Sequence, residues 1–114
     1  MAFLFKGGIM DNFNVIYKIL RYLEAMMDSD DPDMEFISAK ALKISEQRWE
    51  RLMIMLSDEG YITGVNTVQT LGMSRRVISS CVPEITLKGL EYLSENTFMK
   101  KAARVAKGIA DMIP

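Results

Sequence analysis

"LSDEGYITGV", residues 56–65, and "PEITLKGLEYL", residues 83–93, decide how this chain folds. In the first, an apolar-periodic run ends at charged residues and Gly60, and β-branched alternation begins. Glycine suits that place because a helix C-terminus often needs the left-handed backbone that a side chain disfavours. In the second, alternation ends at Ile85, and Thr86 stands where a hydroxyl can cap the first turn of a new helix. Lys88-Gly89 lacks the glycine run of a phosphate-cradling loop, so the pair reads as structural punctuation. Gly89 falls early in the helix, where a missing side chain lets the helix approach the sheet closely.

Between these two stretches, "YITGVNTVQT" and "RVISSCVPEI" alternate and carry β-branched residues, with "LGMS" between them. They read as a β-hairpin, with Pro83 confined to an edge or a strand end. Upstream, Ser45 caps "EQRWERLMIMLSDE", whose Trp49, Leu52, Met53 and Leu56 share one face. Ser38 caps a short helix, "AKALK", and the preceding "MEFIS" reads as a short extended piece. From a cap at Asp11 or Asn12, Phe13, Ile16, Leu20, Leu23 and Met27 recur at spacings of three and four, which predicts an amphipathic helix. The acidic run around Pro32 ends it.

Downstream of Thr86, Leu87, Leu90 and Leu93 are expected to point inward, and Asn96 and Thr97 to break the helix. A last amphipathic helix over residues 97–113 puts Phe98, Ala102, Val105, Ile109 and Met112 on one side and Lys100, Lys101, Arg104 and Lys107 on the other. Residues 1–10, with Gly7-Gly8, read as a flexible N-terminal extension to a single domain over residues 11–114.

This order of helix, short strand, two helices, hairpin and two helices resembles a winged-helix domain, whose hairpin is the wing and whose third helix is the recognition helix. The expected class is α+β, mainly α: a winged helix-turn-helix with a two- to three-stranded antiparallel wing sheet and an extra C-terminal helix. More narrowly, "ISEQRWERLMIMLSDEGYITGV" and "PEITLKGLEYLSEN", followed by a basic amphipathic helix, resemble the small YjcQ-like proteins of bacteria and their phages. The resemblance implies a fold and a phage-associated setting, and no biochemical activity.

Composition narrows the function. The chain has 114 residues, 49% hydrophobic and 25% charged, with no histidine and one cysteine, Cys81. A Cys/His zinc site and an internal disulfide are therefore unavailable. The usual general base is missing as well, so neither an enzyme nor a cofactor is expected. Asp28, Asp30, Asp31 and Asp33 loosely resemble a calcium loop but lack its glycine and final glutamate at the needed spacing, which makes a solvated loop the better reading. Cys81 is expected to behave as a small hydrophobe in a strand. No run of about 20 apolar residues offers a membrane span, and the leader is too short in apolar residues for a secretory signal. A cytoplasmic protein is expected.

Net charge is -1, but five acids fall within "DSDDPDME"; from Phe36 onward, 11 Lys and Arg face 8 Asp and Glu. That balance admits double-stranded DNA as a partner. Helical spacing sets Gln47, Arg51, Ile54 and Asp58 on the side opposite the core, with Arg48 and Glu50 flanking. Gln and Arg pair in bidentate fashion with adenine and guanine, and Gln47, Arg48 and Arg51 lie in the half of a recognition helix that reaches the bases. Arg75 and Arg76, near the wing tip, and Lys40 and Lys43, before the helix, complete the expected DNA-binding set. Asp58 would repel phosphate, and an exposed Ile54 would suit a protein contact, which keeps a protein-interaction module as the rival reading. The apolar stripe of the final helix is covered by the first helix or by a second copy in a homodimer.

Overall fold

The computed structural model describes residues 11–96. Helix α1 spans Asn12–Ala25, and a 3-10 turn, Met26–Asp28, leads into the acidic loop. A second 3-10 turn, Met34–Ile37, precedes the short helix α2, Ala39–Leu42. Then come helix α3, Glu46–Asp58, and the strands β1, Ile62–Val68, and β2, Val77–Ile85. Helix α4 begins at residue 87 and runs through residue 96. Among the described residues the fold is α+β and mainly helical, with four helices and a two-stranded antiparallel sheet in a winged-helix-like arrangement. Expectations for residues 1–10 and 97–113, including the last helix and a dimer through it, lie outside the described residues.

Local chemistry sets the boundaries. Asp11, Ser38 and Ser45 each accept a hydrogen bond from the backbone N–H three residues on, capping α1, α2 and α3. Past the end of α3, Gly60 adopts φ +84. Gly60 N donates to Ser57 O and Tyr61 N to Leu56 O, the paired bonds of a Schellman stop. The Thr86 hydroxyl accepts from Gly89 N at 3.1 Å and donates to Gly60 O, while Lys88 Nζ donates to Glu59 O at 2.8 Å. Thr86 and Lys88 thus bind the start of α4 to the end of α3, and the ammonium sits where the α3 dipole is negative. A Cβ on Gly89 would stand 2.4 Å from Tyr61 O. The expected close approach of helix and sheet is therefore real.

One core joins all the elements. Val15, Ile19, Leu20 and Leu23 of α1 meet Ile37, Leu42, Leu52, Met53, Leu56, Ile62 and Leu93, and each large aliphatic side chain so buried contributes roughly 1.5–3 kcal/mol. Three sequence expectations need correction here. The buried face of α1 centres on Val15 and Ile19, and Phe13 and Met27 are 71% and 59% exposed; spacings of three and four fit either neighbouring stripe. Leu87 is 73% exposed, with Gly89, Leu90 and Leu93 turned inward instead. The "MEFIS" segment is a 3-10 turn instead of a strand, because the Asp33 carboxylate accepts from Glu35 N at 3.0 Å and Trp49 Nε1 donates to Ile37 O at 2.7 Å. Among the described residues the sheet consequently has two strands.

That sheet is bent. Ile62 pairs with Ile85, Val65 with Cys81 and Val68 with Val77, with register shifts between Thr63 and Val65 and between Asn66 and Thr67. β2 therefore carries two more residues than β1, and bulges of this kind curve the strand that holds them. Pro83 lies at the first bulge, where a missing N–H is tolerated. Opposite it, Gly64 has φ +89, and a Cβ there would stand 2.0 Å from Val82 O.

Candidate functional site

Helix α3 turns Trp49, Leu52, Met53 and Leu56 toward the core and leaves Gln47, Arg48 and Arg51 exposed. Ser45 at the cap and Glu46 in the first turn fix the end of α3 that carries these three side chains. The hairpin loop, residues 69–76, is shaped by Gly72 at φ +91 and by Met73 N donating to Thr70 O at 3.0 Å.

Two contacts fasten the hairpin to α3. Arg76, the last loop residue before β2, makes a two-pronged pair with Asp58, Nη1 to Oδ1 at 3.2 Å and Nη2 to Oδ2 at 2.5 Å. Ile78 N donates to Glu50 Oε2 at 2.8 Å. Glu50 and Asp58 lie eight residues apart, about 12 Å along the helix, so β2 is held at two separated points. The hydrogen bond from Arg76, and then its charge, hold the Asp58 carboxyl below its ordinary pKa.

The wing and α3 flank an open cavity of about 270 Å³, lined by Arg51, Ile54, Met55, Arg75, Arg76 and the two tethering acids. A second cavity, about 320 Å³, lies beside it along α3, lined by Asn12, Gln47, Arg48, Arg51, Leu52 and Met55. Arg51 borders both cavities, which joins Gln47 and Arg48 to Arg75 and Arg76 in one band. Among the described residues Arg48, Arg51 and Arg75 form no ion pair. Lys40 and Lys43 are exposed on α2 and its cap but line neither cavity.

Spacing alone did not find the tethering roles of Glu50 and Asp58. Both partners of each contact are distant in sequence, 28 and 18 positions apart, and no local pattern records such pairs. Asp58, set against phosphate by its charge, has that charge matched by Arg76. Ile54 is half-buried in the cavity wall, so it offers less apolar surface than full exposure would give. Burial pushes the Cys81 thiol above its ordinary pKa, in keeping with a packing role. Among the described residues there is no group of three or more carboxylate or thiol side chains placed to hold a metal, and no helix long and apolar enough to cross a membrane.

A small α+β protein, mainly helical and with a winged-helix-like arrangement, is the class these elements define. The family model described as "YjcQ protein" matches residues 17–112, and the chain belongs to that family. It is 31% identical over 96 residues to "Uncharacterized protein YjcQ" of Bacillus subtilis (strain 168), an overlap covering 82% of this chain and 94% of that protein. No solved structure matches it.

Proposed function

We propose that the chain is a cytoplasmic, non-enzymatic protein that binds double-stranded DNA and acts in bacterial or phage gene regulation. The observation that carries this reading is the band of Gln47, Arg48, Arg51, Arg75 and Arg76, four cations and an amide on adjoining surfaces of α3 and the wing. α3 is the element that would enter the major groove. Its Gln47 and Arg51 suit adenine and guanine edges, and Arg48 suits a flanking phosphate. Arg75 would meet the backbone beside the groove, and Lys40 and Lys43 phosphates further along. Of the two acids that line the cavity, Asp58 is paired with Arg76, which lowers the repulsion a bare carboxylate would exert, and Glu50 accepts from Ile78 N.

Fluorescence anisotropy with a labelled mixed-sequence duplex tests the reading. Binding should weaken steeply between about 50 and 200 mM salt, with a slope reflecting several neutralised phosphates. Arg51→Ala combined with Arg75→Ala and Arg76→Ala should weaken it by about tenfold or more and flatten that slope. Binding indifferent to salt, or affinity unchanged in the triple variant, would overturn the proposal.

A further inference from the structure

A third groove, about 340 Å³, shares no residue with the two cavities along α3. It is lined by Leu23, Met26 and Met27 at the end of α1, by the acidic turn, and by the consecutive β2 residues 82–85. Neighbouring side chains on a strand point to opposite faces, so four in a row line one groove when it runs along the strand's edge. Among the described residues, β2 is hydrogen-bonded to a strand on one side only. The segment expected to supply a third strand is the 3-10 turn Met34–Ile37.

Charge selects the occupant. Residues 22–39 hold six acids and no Lys or Arg, and β2 adds Glu84 with no base. Glu24 is paired with Arg21, but Asp28, Asp30, Asp31, Glu35 and Glu84 form no ion pair among the described residues. Asp30 and Glu84 border an otherwise largely apolar lining in which Met27 and Val82 are 59% and 68% exposed. Nucleic acid and acidic peptides are repelled by such a rim. Methionine side chains adapt to varied apolar partners, and a free strand edge accepts an extended peptide by main-chain pairing. Pro83 offers no N–H, which keeps that pairing short.

We infer that this groove docks an extended segment of a partner protein in which lysine or arginine alternates with apolar side chains, laid along the free edge of β2. The interaction is independent of the DNA reading, since it uses none of the same residues.

The test titrates amidated hexapeptides into the 15N-labelled full chain and follows backbone amides by NMR. A peptide alternating lysine and valine should shift the amides of residues 26–30 and of Val82, Glu84 and Ile85 saturably, with a Kd of about 1 mM or tighter. The affinity should fall severalfold as salt rises from about 50 to 300 mM. A glutamate–valine peptide should leave those amides unmoved, and a lysine–glycine peptide should bind much more weakly. Asp30→Asn with Glu84→Gln should weaken the lysine–valine peptide by about fivefold, and Val82→Ser should weaken it at every salt concentration. All three positions are exposed, and the spread of the amide spectrum verifies folding of each variant. Equal binding of the lysine and glutamate peptides, equal binding of the lysine–glycine control, shifts confined to other residues, or no shift at millimolar peptide would each overturn the inference.

Discussion

Arg76 at the base of the wing loop and Asp58 in the last turn of α3, 18 positions apart, are joined by the two terminal guanidinium nitrogens, Nη1 and Nη2, to both carboxylate oxygens. The pair sits on the surface proposed to meet DNA. Arg76 must therefore share its charge between Asp58 and a phosphate or exchange one for the other. Asp58→Asn removes one negative charge from that surface and frees the guanidinium. The expected result is severalfold tighter binding of mixed duplex at low salt, and a steeper salt dependence, by anisotropy. Weaker binding in this variant would mean that the pair holds Arg76 in its useful position.

The same contact has a pH signature. The hydrogen bond from Arg76 is the main influence; with a lesser contribution from its charge, it depresses the Asp58 pKa below its ordinary 3.8 despite desolvation, which opposes it more strongly than that charge assists. A carboxylate depressed in the folded state favours folding above its unfolded pKa, and that contribution is lost as pH falls through the folded value. Wing docking through this pair should thus be complete at neutral pH and released only below pH 3.8. A 13C-detected titration of the Asp58 carboxyl should give a midpoint under 3.8 in the native chain, and Arg76→Ala should move it upward. A midpoint that ignores the Arg76 substitution would show the pair to be absent in solution.

How much of this was legible in the sequence follows from the range of the forces involved. Caps at Ser38, Ser45 and Thr86, the Gly60 stop, the inward face of α3 and the hairpin all depend on neighbours within a few positions, and the pattern carried them. The buried stripe of α1 was misplaced by a step because Val15, Ile16, Ile19 and Leu20 are all apolar, and only tertiary packing decides which face wins. Leu87 failed for a related reason: close approach at Gly89 rotates α4 so that Leu87 faces solvent. The 3-10 turn at residues 34–37 depends on Trp49 reaching Ile37 O, 12 positions away. For the site, the exposed Gln47, Arg48 and Arg51 follow from helical period, whereas the tethers from Glu50 and Asp58 join α3 to a separate strand.

Trp49 tests that long-range bond directly. Its Nε1–H donates to Ile37 O at 2.7 Å, and the ring packs against the core. Trp49→Phe retains most of the apolar contact but leaves a partly buried carbonyl without its donor, and also leaves space the larger indole filled. A loss of about 1–3 kcal/mol is expected in urea unfolding. The turn at residues 34–37 should lose amide exchange protection more than α3 does. A stability within about 0.5 kcal/mol of the native chain would show the bond to be dispensable.

Three glycines separate strain from crowding. Gly72 has φ +91 and nothing within 4 Å of the place a Cβ would take, so Gly72→Ala should cost only the backbone term, about 1 kcal/mol. At Gly89 a Cβ would meet Tyr61 O at 2.4 Å and Ile85 Cγ1 at 2.6 Å. There alanine's helix preference of about 1 kcal/mol is opposed by displacement of α4 from the sheet, for a net loss of roughly 1–3 kcal/mol. Gly64 combines both penalties, φ +89 and a backbone oxygen 2.0 Å away across the bulge. Gly64→Ala should therefore be the most damaging of the three, by about 3 kcal/mol or more, and it should disturb the pairing of Thr63 with Glu84. Chemical denaturation of the three variants checks the order Gly72, Gly89, Gly64. A Gly64→Ala protein as stable as Gly72→Ala would mean that the β2 bulge relaxes freely.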